Sequence, residues 1–342
     1  MFKTFNTFRH LFDQCVYHRG CSDGMACAAI VKTVCPTVEF IELAAGQDLD
    51  EDPSIFSNRN VIFVDVVPSP EYFRKVIHVA ERVVVIDHHI TYRTSIETVI
   101  NELKEDDKNK DEDDNEDEKI ELHFDVNKAA CQLTFEYFYP AQELPWFLNY
   151  IADRDLWKYE MPHSKEITNA LYTDYHTRSI DNILRLFQIK GKELERLQEY
   201  LLKKGKILTE LRTEAVKSGC RNRLECTYTS PLGDAYRVWL YTCDQYLLSD
   251  VGARLTRYRF KDGKYPDFVV YWWYDVEHHQ FGLSFRSDNT SPTSTDVEQI
   301  ARMIQERGGG HRNAAGCVVD GSTVLRDLFV PVTNKDDDEK DE

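Results

Sequence analysis

The chain has 342 residues, 42% of them hydrophobic, and a formal net charge of −17. That length fits two domains of about 150 residues better than one core, and no apolar run of about 18 residues exists to span a membrane as a helix. Residues 102–119 hold 11 acidic and 4 basic side chains and residues 334–342 hold 6 and 2, so two low-complexity runs carry −11 of the −17 and are expected to be disordered.

The remaining residues are only mildly acidic, which argues against a broad basic face for long duplex nucleic acid and leaves room for a small phosphate-bearing ligand.

In chain order, short strands are expected at residues 15–17, 38–43, 61–66 (VIFVDV) and 82–86 (RVVVI). The last two are continuously apolar, as parallel strands buried on both faces are. Helices are expected between them at 24–33 and 70–80, then at 130–139 and 145–151. Residues 179–218 read as a long charged helical stretch linking two domains. Beyond it, strands at 236–241, 268–274 and 280–285 mix with helices at 249–258 and 296–307. The expected architecture is α/β: a doubly wound parallel-sheet domain over 1–178 with its acidic insertion, a helical linker over 179–218, a smaller domain with a mixed sheet over 219–332, and an acidic tail over 333–342.

The N-terminal stretch MFKTFNTFRHLFDQ is interrupted by Lys3, Arg9, His10 and Asp13 and no small-residue cleavage site follows. It is therefore not read as a signal peptide, and a cytoplasmic location is expected. The nine cysteines, odd in number and without a Cys-x-x-Cys pair, suggest buried thiols rather than disulfides or a zinc knuckle.

Three groups of chemically capable residues fall where predicted strands end: residues 18–23, Asp65, and the triplet Asp87, His88 and His89. In open α/β sheets that edge binds ligands. A carboxylate and two imidazoles leaving a buried strand together are costly unless an ion is held there, and the mixed oxygen and imidazole set suits a hard divalent metal, manganese first and magnesium next. Asp153 in YIADRDLW is a further candidate, beside Arg154 and Asp155. Late in the chain, GGGHRNAAG places Gly308, Gly309 and Gly310 before His311, a composition that can form an anion-binding nest. Upstream, Ser284 and Arg286 lie in LSFRS, where the guanidinium can take a phosphate bidentately.

In this order the motifs resemble the DHH phosphoesterase family with its DHH-associated C-terminal domain, over residues 15–317. The length is similar to that of the short two-domain members, which include oligoribonucleases and phosphohydrolases. The resemblance implies hydrolysis of phosphodiester or phosphomonoester bonds in short nucleotides with two manganese ions, magnesium or cobalt being alternatives. It implies that His18 and Asp65 hold one metal and that Asp23, Asp65, His88 and Asp153 hold the other. His89 would contact the scissile phosphate with Asp87 orienting the imidazoles, and Ser284, Arg286, Gly308 to Gly310 and His311 would hold the far end of the substrate. One departure stands out: where the family offers two aspartates, this chain has Cys21 and Asp23, so a thiol takes the place of a metal ligand.

Two further readings stay open at this point. One is a pyrophosphatase or exopolyphosphatase-type hydrolase; the other is a nucleotide-binding protein impaired by Cys21. A base needs a stacking surface and pyrophosphate does not, which singles out Trp157, Tyr159, Trp272 and Trp273. The expected partner is a short nucleotide or other phosphorylated small molecule, without long duplex nucleic acid or membrane, and a homodimer is left open.

Overall fold

The computed structural model describes residues 11–107, 119–174, 177, 179–288, 290 and 294–332. The centre of the acidic insertion, 108–118, and the acidic tail, 333–342, lie outside the described residues. The chain divides into two compact units, Met1–Thr209 and Glu210–Glu342.

In the first unit five strands, β1 (Gln14–His18), β2 (Glu39–Leu43), β3 (Asn60–Val64), β4 (Arg82–Asp87) and β5 (Ile120–Phe124), form a sheet in the order β2-β1-β3-β4-β5. All its pairings are parallel. The continuous apolar runs of β3 and β4 follow from coverage on both faces. Ile62, Val64, Val84 and Ile86 join one core with α1 (Ser22–Val34), α4 (Ala130–Phe138) and α5 (Trp146–Asp155). Their neighbours Val61, Phe63, Val83 and Val85 join another with α2 (Pro70–Val79) and α3 (Ile90–Asp107). With a two-residue period every position is buried, each such side chain contributing about 1.5–3 kcal/mol. Local signals set the ends of α2: the Ser69 hydroxyl accepts from the Tyr72 N–H, and Pro70 opens the first turn.

The acidic insertion is not disordered throughout. Residues 102–107 continue α3, because Ile96, Val99 and Leu103 recur at helical spacing and bury against the sheet.

After α6 (Ser164–Thr173), the stretch 179–218 contains α7 (Ile180–Leu186) and α8 (Gly191–Gly219), with Gly191 in the left-handed region at φ 56°. Ile183, Leu186 and Leu201 are buried in the first unit's core, and Val216 belongs to the second unit's. The division between units therefore falls inside α8, between Thr209 and Glu210.

The second unit is a mixed sheet of β6 (Arg223–Thr229), β7 (Ala235–Tyr241), β8 (Phe268–Asp275), β9 (Gln280–Arg286), β10 (Gly309–His311), β11 (Ala314–Asp320) and β12 (Val330–Pro331), in the order β10-β11-β9-β8-β7-β6-β12. Among these described strands only β7 and β8 pair in parallel, which requires a crossover, here carrying α9 (Leu248–Leu255). One face packs on α10 (Val297–Ile304) through Leu283 and Phe285; the other packs on α9 and the end of α8 through Tyr241 and Tyr271.

Candidate metal centre

The order β2-β1-β3-β4-β5 reverses direction between β1 and β3, and at such a switch point the strand C-termini open a crevice. His18 ends β1, Asp65 follows β3 and Asp87 ends β4, so parallel register alone collects them at one edge. Two backbone features sharpen the placement. Asp65 has φ 63°, a conformation costly for a non-glycine residue, and is pinned by its N–H to the Ile86 carbonyl at 3.0 Å. Gly24, in the first turn of α1, lets that helix cross His18: a Cβ there would lie 2.7 Å from His18 Cβ and 2.8 Å from its carbonyl oxygen.

Asp65 is the hub. His18 Nδ1 lies 3.1 Å from Asp65 Oδ2, and His88 Nε2 lies 3.4 Å from Asp65 Oδ1 and 3.5 Å from Asp155 Oδ2. Asp65 Oδ1 is buried and has no hydrogen-bond partner. Asp23 is also buried, its two oxygens accepting the Ala130 and Cys131 N–H groups at 2.8 and 3.0 Å, the first turn of α4.

Asp87 supports the triplet from behind. Its Oδ1 accepts the His88 and His89 N–H groups at 2.6 and 2.7 Å and lies 2.8 Å from His89 Nδ1. His88 is 3% exposed at the side chain and His89 20%, so of the two imidazoles His89 is the one accessible to a ligand.

The electrostatics follow from crowding three carboxylates around two imidazoles. Burial would lower the His88 imidazole, but Asp65, Asp155 and Asp23 raise it to about 10. His18 is raised against burial by its bond to Asp65. Burial would raise the Asp65 carboxyl, but the imidazoles of His18, His88 and His89 hold it far below the usual range. Burial and the Asp65 charge lift Asp23 to about 6, and burial and Asp23 lift Asp155. Protons balance negative charge that a divalent cation would balance better. Candidate ligand atoms of His18, Cys21 and Asp65 lie within 4.8 Å of one another, as do those of Asp23, His88 and Asp155 and those of Asp65, Asp87 and His89. The donor set fits divalent metal.

Asp153 is not with this cluster. Its carboxylate accepts the Glu160 and Met161 N–H groups at 2.8 and 3.1 Å, closing the turn after α5, and Asp155 is the residue that reaches His88. The sequence held a signal for this: Leu148, Ile151 and Asp155 share one stripe at three- and four-residue spacing, whereas Asp153 lies off it. Cys21 lies beside His18 and Asp65, its thiol pushed up by burial and the charges of Asp65, Asp155 and Asp23. All nine cysteines are free, and all but Cys21 and Cys243 are buried.

In the second unit, Ser284 and Arg286 alternate along β9 with core residues Leu283 and Phe285 and so share the opposite face. Arg286 Nη2 donates to Ser249 Oγ at 3.0 Å. The glycine run is not a nest but a strand: Gly309 to His311 pair with Ala314 to Gly316 at the sheet edge. Gly310, at φ 142°, has no room for a Cβ beside the Ala314 carbonyl oxygen, 2.5 Å away. Trp157 and Tyr159, half-buried after α5, both have positive φ and meet edge to face at 5.2 Å. Trp273 stacks on Tyr271 at 5.6 Å and Trp272 lies 6.1 Å from Phe281, so the last two serve the sheet's own packing.

No family profile matches the chain. Uncharacterized protein R106 of Acanthamoeba polyphaga mimivirus is 28% identical over 324 residues, spanning 90% of this chain and 68% of that one. Among solved structures, RecJ in complex with Mn2+ from Thermus thermophilus superposes with a TM-score of 0.45 at 12% identity, over 90% of this chain and 49% of its own. An exopolyphosphatase-related protein from Bacteroides fragilis gives 0.39 at 11% identity, over 95% and 92%. Superpositions this loose assign no function.

Proposed function

We propose that the chain is a metal-dependent phosphoesterase of the DHH type, hydrolysing phosphodiester or phosphomonoester bonds in short nucleotides. The observation that carries this reading is the meeting of Asp23, Asp65 and Asp155 with His18 and His88 at the switch point of a parallel sheet, with Asp65 Oδ1 buried and accepting no hydrogen bond. His18, Cys21 and Asp65 would hold one divalent ion, and Asp23, His88 and Asp155 the other. Such ions supply a water of lowered pKa and offset negative charge on phosphoryl oxygens.

The chain's own groups supply position. Asp87 holds the His89 ring by its Nδ1, orienting it to meet a phosphoryl oxygen, and the same carboxylate oxygen fixes the backbone of the triplet. Asp23 is anchored on α4, so the carboxylates are set before substrate arrives, the preorganisation that electrostatic catalysis requires. In the second unit Arg286, steadied by Ser249, offers a planar fork for a phosphate.

The test is incubation of purified protein and manganese with 5′-labelled RNA of graded short lengths, pyrophosphate, polyphosphate and a bis-phosphorylated adenosine. Release of mononucleotide or phosphate from the nucleotide substrates, abolished in His88→Ala, supports the reading. Cleavage of pyrophosphate or polyphosphate alone replaces it with a phosphoanhydride hydrolase, and turnover of none refutes it.

A further inference from the structure

A strip of the second unit has a chemistry opposite to that of the chain as a whole. Residues 254–265 carry five basic side chains and one acidic one, in a protein of net charge −17. Arg254, Arg257, Tyr258, Arg259, Lys261, Lys264 and Tyr265 are all exposed, Tyr258 and Tyr265 by 42% and 53%. The acidic groups nearby are mostly engaged. Asp262 pairs with Arg237, which also holds Glu225, and Asp250 pairs with Arg212. Asp288 stands 4.0 Å from Arg257, whose side chain is 61% exposed, and Glu214 pairs with Lys217. Arg254, Lys261 and Lys264 make no salt bridge among the described residues.

The strip is also firmly built. Trp239 Nε1 donates to the Tyr258 carbonyl at 2.9 Å, and Trp239 packs on buried Phe260 at 4.5 Å between ring centroids. The turn that presents Lys261 and Lys264 is closed by Phe260 N–H to the Lys264 carbonyl at 2.9 Å and Gly263 N–H to the Phe260 carbonyl at 3.0 Å, with Gly263 at φ 84°. Guanidinium groups already lie on the exposed rings: Arg223 over Tyr258 at 4.3 Å, and Arg259 over Tyr265 at 4.5 Å with a bond to its hydroxyl. Preordered cations interleaved with exposed rings are what a single strand needs: charges for phosphates, and planar faces on which any base can stack. A duplex hides its base faces, and an acidic peptide has no use for the rings. The strip also continues from Arg286: eight residues of α9 and its end separate Ser249 from Arg257, about 12 Å.

We propose that residues 254–265 form a binding track for single-stranded nucleic acid, with Arg254, Arg257, Lys261 and Lys264 on phosphates and Tyr258 and Tyr265 under bases. The track gives the protein affinity for strands longer than the short nucleotides assigned to the metal centre, and it needs no metal.

The test is fluorescence anisotropy on the full chain in EDTA, with labelled 12-nucleotide RNA and DNA single strands, the corresponding duplex and a polyglutamate peptide, at several salt concentrations. Binding of at least one single strand is expected, the RNA and DNA arms deciding which sugar is preferred. The triple variant R257A/K261A/K264A should lower the slope of log K against log salt by about 2, since each single-strand phosphate contact contributes about 0.7. Tyr265→Ala should weaken binding about tenfold or more without changing that slope. Duplex or polyglutamate binding as tight as single-strand binding, or strand binding that neither variant changes, overturns the proposal. Dinucleotide hydrolysis with manganese is measured in parallel: its loss with strand binding intact defeats the catalytic reading alone, and its survival with variant-insensitive strand binding defeats the track alone.

Discussion

Adding manganese to the metal-free protein at pH 7.5 should release protons, and their number reports which groups become ligands. The His88 imidazole is raised to about 10 by Asp65, Asp155 and Asp23, so it enters the titration as imidazolium. Removing its proton below that value costs roughly 3 kcal/mol at about 1.36 kcal/mol per unit, a penalty of about two orders of magnitude on metal affinity. That penalty shrinks about tenfold for each pH unit gained, so affinity should tighten by that factor between pH 7 and 8 with about one proton released at His88. A second proton appears if the Cys21 thiol binds as thiolate. Calorimetric titration in three buffers of different ionisation enthalpy counts the protons, and His88→Asn should reduce the count by one. The same group affects stability. Its folded value lies above the ordinary 6.5, so the imidazolium's contribution is complete below about pH 6.5 and is lost as pH rises through 10. The Tm of the metal-free protein should therefore fall from pH 7 to 10. Metal binding with no proton release and no pH dependence would refute the assignment of His88 as both imidazolium and ligand.

Four substitutions separate the roles of residues in and beside the cluster. Asp153→Ala removes a buried carboxylate that holds two backbone N–H groups and should lower stability by about 2–4 kcal/mol in a thermal melt. Asp155→Asn should leave the metal-free melt no lower than wild type while weakening manganese binding at least tenfold; the opposite pattern would return Asp153 to the ligand set. Gly24→Ala places a Cβ against His18, and the overpacking should cost about 1–3 kcal/mol with loss of manganese binding by calorimetry. Cys21→Asp should change the preference among manganese, magnesium, cobalt and zinc, and unchanged metal dependence and rate would place Cys21 outside the metal site.

Much of the first unit was legible because buried parallel strands leave an unmistakable record: VIFV (61–64) and VVVI (83–86) are apolar at every position, and the charged residues that follow them are conspicuous. β5, the edge strand IELHF, carries the alternation of a half-buried strand at Ile120, Leu122 and Phe124 and was missed because it is short and directly follows the acidic run. The first part of the acidic insertion was misread for a related reason, since the charges of residues 102–107 outweighed the periodicity of Ile96, Val99 and Leu103. The site was legible where strand ends define it, at His18, Asp65 and the triplet. It was not legible on α5, where the choice between two aspartates depends on which side of the helix faces the sheet. The glycine run was misjudged because three glycines suit a nest and a tightly packed edge strand equally; what decides is Gly308 against the Ala301 carbonyl and Gly310 against the Ala314 carbonyl, contacts that composition cannot show.

The cost of this arrangement is the strongest argument for a bound ion. Asp65 occupies a backbone conformation that costs about 1–3 kcal/mol, and buried Asp23 and the more exposed Asp155 crowd beside it in spite of mutual repulsion. A purely structural polar cluster would not be built this way, since apolar residues of similar size would be as stable or more so. Nor is the cluster a set of ordinary pairs: Asp65 faces three imidazoles, from β1 and the end of β4, at distances from 3.1 to 3.8 Å. Asp87, bonded within its own triplet, holds the His89 imidazole and the backbone of both histidines in place. A strained hub, an anchored carboxylate on α4 and a supported His-His pair are jointly explained by one requirement, that negative charge be concentrated at a fixed point for cations to fill.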